Sequence, residues 1–123
     1  MTVKKGEIVV DNCIFCKIIE REIPATIVYE DEEIIAFEDI NPVAPIHTLI
    51  VPKKHIASLV GLKEEDAHLI GKVYLVTNKI AEQKGILEKG FRVVVNCGKE
   101  GGQVVPHLHY HLLGGKKLPT RFL

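Results

Sequence analysis

Neither sign of charge is in excess in this chain: sixteen lysines and arginines balance sixteen aspartates and glutamates over 123 residues, a formal net charge of zero. No long-range field is available to hold a nucleic-acid backbone or an anionic membrane surface, so no nucleic-acid or membrane partner is expected and any anion must be held locally. Long apolar runs are also missing. No segment reads as a bilayer span and the first residues carry no apolar leader, which leads to the expectation of a cytoplasmic protein. Cysteine is scarce, at three residues. An odd count in a chain without a leader argues against a disulfide framework and points Cys13 and Cys16 towards metal or redox use. There is no repeat, no linker and no disordered composition. With 46% hydrophobic and 26% charged residues, residues 1–123 suit one domain with a real core.

Histidine, by contrast, is concentrated. In His107-Leu108-His109-Tyr110-His111-Leu112-Leu113, half of the six histidines alternate with bulky apolar residues. Side chains two apart on a strand share a face, so the alternation predicts a strand that presents three imidazoles in a row, about 6–7 Å apart. A helix would scatter them at steps of about 200°. Gly101, Gly102, Gly114 and Gly115 punctuate a strand of this length. Leu108, Tyr110 and Leu112 then pack on a core, while the histidine face meets water, a metal or an anionic ligand. Clustered imidazoles repel when charged, so three in register imply a shared task. Two tasks fit the residues alone: a three-nitrogen metal site, or a nucleophile with a general acid and base acting on a phosphate.

The remainder reads as a mixed fold. Residues 1–11 form a loosely held lead without a clear period. Residues 13–21 have apolar positions at helical spacing, Ile14, Phe15 and Ile18 sharing one side, and Pro24 ends a short helix. Residues 26–29 and 33–37 are β-rich runs about an acidic turn, a hairpin; a third strand covers residues 47–51. Pro42 and Pro45 make residues 39–45 an irregular, rigid loop in which Asp39 either caps the turn or meets a ligand. Over residues 63–84 a broad apolar stripe, an acidic first turn and Gly85 after the end predict the long helix, with His68 and Tyr74 partly exposed. Residues 91–96 read as a strand, residues 98–102 as a glycine-rich loop that can offer N–H groups to a phosphate, and residues 114–123 as a C-terminal tail. The fold class is therefore α+β: an antiparallel sheet with one long and one short helix. Cys97 has no partner in sequence and is expected to be a small, partly buried residue.

The run from His107 to Leu113 resembles the signature of the histidine triad family of nucleotide hydrolases and transferases. Cys13-Ile14-Phe15-Cys16-Lys17-Ile18-Ile19, Ala36-Phe37-Glu38-Asp39-Ile40-Asn41-Pro42, Ala44-Pro45-Ile46-His47, Pro52-Lys53-Lys54-His55 and Gly101-Gly102-Gln103 resemble its Hint branch in order and spacing. That branch consists of homodimeric purine nucleoside phosphoramidases, which cleave the P–N bond joining AMP or GMP to an amine. The resemblance implies a sheet continued across a dimer and His109 as the nucleophile that forms a nucleotidyl-histidine. His107 and His111 would flank it, with His47 relaying a hydrogen bond. It implies Ile14, Phe15, Ile18, Phe37 and Ile40 around the base, Asp39 on the ribose, and Asn96, Gly102, Gln103 and the backbone of Val104 on the phosphate. Better-known members carry serine where this chain has Val104, and Pro106 is a second departure.

Some cysteine-bearing relatives hold zinc with residues that correspond to Cys13, Cys16, His55 and His107, a four-ligand set that implies a structural rather than catalytic metal. A redox pair lacks the βαβ context it needs, and two unmetallated cysteines beside the base pocket remain the plain alternative. A dinucleoside polyphosphate hydrolase, a nucleotidyl transferase and a nucleotide-binding regulatory module are the other functions compatible with these residues.

Overall fold

The computed structural model describes the backbone of residues 2–4 and 7–9 and the whole of residues 12–121. Within the lead, expected to be loosely held, β1 (Thr2–Lys4) pairs antiparallel with β2 (Glu7–Val9) as a separate hairpin. The other residues of the lead and residues 122–123 lie outside the described ones. There follow α1 (Ile14–Ile19), β3 (Ile27–Glu30), β4 (Ile34–Glu38), β5 (Ile46–Pro52), α2 (Ala67–Gln83), β6 (Arg92–Val94) and β7 (Tyr110–Gly114). The last five strands form one antiparallel sheet in the order β3-β4-β5-β7-β6. Among the described residues no helix is long and apolar enough to cross a membrane.

Period-two alternation divides the side chains between the two faces of the sheet. Ile34, Ala36, Ile50, Tyr110 and Leu112 meet Leu69, Val73, Val76, Ile80 and Ala81 of α2 in the larger core cluster. Ile35, Phe37, Leu49 and Val51 point the other way and pack with Cys13, Phe15, Cys16, Ile18 and Ile19 in a second cluster around α1. Because α1 is a six-residue helix, it covers only part of this second face. The uncovered part is where the histidines lie.

Beyond shifts of a single residue, four boundaries differ from the sequence reading, each for a local reason. The helix α1 stops well before Pro24, where Arg21 takes a left-handed conformation with φ 65°. The long helix opens with a 3-10 turn, Glu64–Asp66, in which Asp66 accepts the Lys63 N–H and the Lys54 ammonium before α2 proper begins. At its other end Gly85, at φ 74°, supplies the stop. The strand expected over residues 91–96 is three residues long and half-buried along its length. The strand expected over residues 107–113 pairs only from Tyr110, because Leu108 N–H goes to the Ile56 carbonyl outside the sheet.

The β7 register sets Leu112 against Thr48 on one side and Val93 on the other, fully buried beneath α2. Leu112→Ala is expected to destabilise the fold by about 2–5 kcal/mol through lost burial and the cavity left behind, read as a lower midpoint in urea at unchanged slope.

Candidate active site

A cavity of about 590 Å³ opens on the partly covered face, between α1, the loop after β4 and the loop between β6 and β7. Of the residues expected to hold a nucleotide, Ile14, Phe15, Ile18, Phe37, Asp39, Ile40, Asn96, Gly102 and Val104 line it, together with His47, His109 and His111. Two expected residues do not. Gln103 accepts from Gly98 N–H and donates to the Ala57 and Val105 carbonyls, so its amide braces the loop from outside the cavity. His107 is fully buried elsewhere, as described below.

The loop is shaped to stay close to the site. A Cβ on Gly101 would lie 2.2 Å from the Cys97 carbonyl oxygen, so only glycine fits there, and its carbonyl receives the Asn96 side-chain amide at 2.8 Å. Gly102 sits at φ 80°. Cys97, expected without a partner, is half-buried and takes hydrogen bonds from the Ser58 hydroxyl and the Val60 and Leu59 N–H groups, which lower its pKa.

The imidazole protons follow from the groups that face them. The Val43 N–H donates to His47 Nδ1 at 3.1 Å, so the His47 proton is on Nε2. That proton points at His111 Nδ1, 2.9 Å away, with Asp39 Oδ2 at 3.4 Å. His111 accepts on Nδ1 and therefore carries its own proton on Nε2. His109 Nδ1 donates to the His107 carbonyl at 2.7 Å, which leaves an unprotonated Nε2. Burial lowers the pKa of His109, and burial together with the neighbouring His109 and His47 brings His111 down to about 4. Both rings are thus neutral at pH 7. The geometry sets a lone pair on His109 beside a proton donor on His111, with ring centroids 5.0 Å apart. Asp39 also caps its turn, Oδ1 accepting from Asn41 N–H at 2.7 Å, and the same residue lines the cavity.

Sequence reasoning missed Val43, because its contribution is a backbone N–H. The signal available was the Pro42-Val43-Ala44-Pro45 run, which holds that N–H rigidly four residues before His47. Glu38 and Val105 also line the cavity without having been expected there.

Behind the cavity a second cluster forms. His107 Nδ1 stands 3.4 Å from Cys13 Sγ, 3.6 Å from Cys16 Sγ and 3.1 Å from His55 Nδ1, and Cys16 Sγ is 3.4 Å from His55 Nδ1. All four donor atoms lie within 4.8 Å of one another. Zn–S bonds near 2.3 Å and Zn–N bonds near 2.0 Å in a tetrahedron put donors about 3.3–3.8 Å apart, so the set fits a zinc ion. His107 Nε2 donates to the Pro52 carbonyl at 2.8 Å, which leaves Nδ1 unprotonated and aimed at the other donors. The expected catalytic triad is therefore divided: His109 and His111 face the cavity, whereas His107 joins the cysteines and meets His109 only through its carbonyl.

A ring nitrogen with a free lone pair lies beside a ring that carries a proton, in an apolar cleft walled by a glycine loop, an arrangement able to attack and to hydrogen-bond a bound substrate. Residues 20–118 match the HIT domain family, and the chain belongs to it. It is 52% identical to a HIT family hydrolase from Clostridium thermocellum, with a TM-score of 0.91 over 94% of this chain and 100% of that one. A histidine triad protein from Clostridium difficile is 53% identical, with a TM-score of 0.90 over 93% and 99% of the two chains. The purine nucleoside phosphoramidase of Escherichia coli K12 is 47% identical over 88% of this chain and 91% of its own length.

The depressed pKa values set a pH dependence. The neutral rings hold the working protonation state, and protonating His109 removes its lone pair. Because burial moves that event below the ordinary value of 6.5, the acid limb of kcat/KM is expected below pH 6.5, with a plateau from there to neutrality. A pH–rate profile on any turned-over nucleotide measures it; a limb at or above 7 would contradict the lowered pKa values of these rings.

Proposed function

We propose that this protein hydrolyses the P–N bond of purine nucleoside phosphoramidates, AMP or GMP joined to an amine, through a covalent intermediate on His109. The observation that carries this reading is the hydrogen-bond chain Val43 N–H, His47, His111, which leaves the His111 proton on Nε2, on a ring whose centroid is 5.0 Å from that of His109 with its free Nε2. In the first step Nε2 attacks phosphorus, a P–N bond to His109 forms, and the bond to the amine breaks as the nitrogen leaves with a proton taken from solvent in the open cleft. The His111 Nε2–H hydrogen-bonds the phosphoryl group or the departing nitrogen. In the second step water attacks phosphorus and the P–N bond to His109 breaks, the proton that water loses returning to solvent, which releases the nucleoside monophosphate and regenerates His109.

The walls support each part of such a substrate. Phe15, Phe37, Ile14, Ile18 and Ile40 offer apolar surface to a purine, Asp39 offers carboxylate oxygens to a ribose, and Asn96 and Gly102 flank the phosphate position. Among the described residues the lining has no lysine or arginine, while Glu38 and Asp39 belong to it. A polyphosphate bridge with several negative charges meets no fixed cation there, which favours a singly charged phosphoramidate over a dinucleoside polyphosphate. The likeness to the E. coli phosphoramidase supports the same choice.

Zinc belongs to this reading as a structural group, held by Cys13, Cys16, His55 and His107. Four protein donors leave no open position, so its contribution when bound is to join α1 to the segment before β7. A homodimer completes it. The strand β6 lies at the sheet edge, and Tyr74, Leu75 and Leu87 are exposed apolar groups on and beyond α2, so a two-fold contact would both continue the sheet and cover that surface.

Purified protein is expected to hydrolyse adenosine phosphoramidate and AMP-lysine faster than diadenosine polyphosphates. His109→Gly should lower turnover by at least about a thousandfold, the scale of a lost nucleophile, with AMP affinity changed little because base and ribose contacts lie elsewhere. Near wild-type turnover in that variant would remove His109 from the mechanism. Sedimentation at micromolar concentration should give twice the 13.7 kDa chain mass; an active monomer would rule out the dimer.

A further inference from the structure

The cysteine–histidine cluster and the nucleotide cavity are separate sites, yet two residues connect them. Phe15 stands between Cys13 and Cys16 in the chain, and its buried ring lines the cavity. That ring lies edge-on to His109 with centroids 5.0 Å apart, and it also touches Phe37 at 5.5 Å and His107 at 5.9 Å. His107 is the second connecting residue. Its ring contributes Nδ1 to the cluster, and its backbone carbonyl receives the Nδ1–H that defines the tautomer of His109. Whatever fixes the two thiols and the His107 ring thereby fixes the wall against the base and the carbonyl behind the nucleophile.

The short helix makes this coupling sensitive. Six residues are too few to hold a helix by themselves, so α1 takes its position from what its side chains touch. Its inward contacts are apolar packing against β4 and β5 and the two thiols at its N-terminal end. With a four-coordinate ion the thiols and both imidazoles share one partner. Without it they share no common centre, and what joins the thiols to the imidazoles is weak thiol and imidazole hydrogen bonding.

We propose that metal in the Cys13-Cys16-His55-His107 cluster and purine nucleotide in the cavity bind with positive coupling, transmitted by Phe15 and His107, so that metal occupancy sets nucleotide affinity. The proposal rests on the zinc and nucleotide sites of the preceding section and adds the linkage between them. Coupling of this kind is reciprocal: the factor by which zinc raises AMP affinity equals the factor by which AMP raises zinc affinity.

The test uses zinc and AMP alone, with no turnover. Zinc content is read first by elemental analysis of protein purified without chelator, with about one ion per chain expected from four protein donors. Calorimetry then gives the Kd for AMP in zinc-loaded and chelator-stripped protein, and a chromophoric chelator gives zinc affinity with and without saturating AMP. The expected result is AMP binding weakened about tenfold on stripping and zinc affinity raised by the same factor with AMP. Phe15→Leu keeps all four donors and should bring both factors towards one. If stripping unfolds the chain, the rate of zinc release from folded protein into excess chelator replaces it, and AMP should slow that release in the wild type but not in Phe15→Leu. Equal AMP affinity with and without zinc, or a release rate indifferent to AMP, would overturn the coupling. Absence of zinc binding would overturn the metal site and the coupling with it. Zinc binding without AMP binding would overturn the nucleotide reading, so the failures are distinguished by separate titrations.

Discussion

The hydrogen bond from His109 Nδ1 to the His107 carbonyl, two residues back, is the constraint on which the site turns. A carbonyl can only accept, so it holds the proton on one nitrogen and leaves the other with a lone pair. The bond needs the His107 carbonyl fixed, and the His107 ring does this by donating from Nε2 to the Pro52 carbonyl at the end of β5. Leu108 contributes as well, its N–H held by the Ile56 carbonyl at 2.7 Å. The segment before β7 is thus anchored by specific polar contacts outside the sheet ladder, which is why the ladder begins only at Tyr110.

From there the sheet supplies the second half of the arrangement. Leu49 lies opposite His111 and Leu113 opposite His47, so the two histidines sit on one face of adjacent strands, offset by two residues. Such diagonal neighbours on a sheet are within reach of long side chains. The register, rather than any contact near in sequence, joins a nitrogen on β5 to a nitrogen on β7 and carries the influence of the Val43 N–H to the cavity. Burial then favours the neutral forms of His109 and His111, the nearby Asp39 carboxylate offsetting only part of the lost hydration.

Much of this was legible beforehand. Period-two alternation from His107 to Leu113 separated Leu108, Tyr110 and Leu112 from the histidines, and all three are buried under α2. The hairpin about Asp31, the rigid loop with Pro42 and Pro45, and the long helix ending before Gly85 were readable from β-rich runs, proline and capping chemistry. These are local signals: each depends on a residue's own conformational preference or on its neighbours within a turn or two. Sequence spacing also suggested that three imidazoles would share one task, and here the chain alone was insufficient.

What local preference could not decide is which partners meet across the fold. His107 and His109 are identical in kind and two apart, yet one is drawn into a cluster with Cys13, Cys16 and His55 while the other faces the cavity. Their different roles depend on where α1 and Pro52 happen to lie, and contacts over 94 and 55 residues of separation leave no trace in periodicity. Gln103 was placed at the phosphate by resemblance, but its amide braces the loop because three backbone groups reach it first. The proton positions are the last such case. An imidazole's tautomer is set by the donor or acceptor facing each nitrogen, and only the packed sheet, with a proline-flanked loop on one side and a buried carbonyl on the other, provides them.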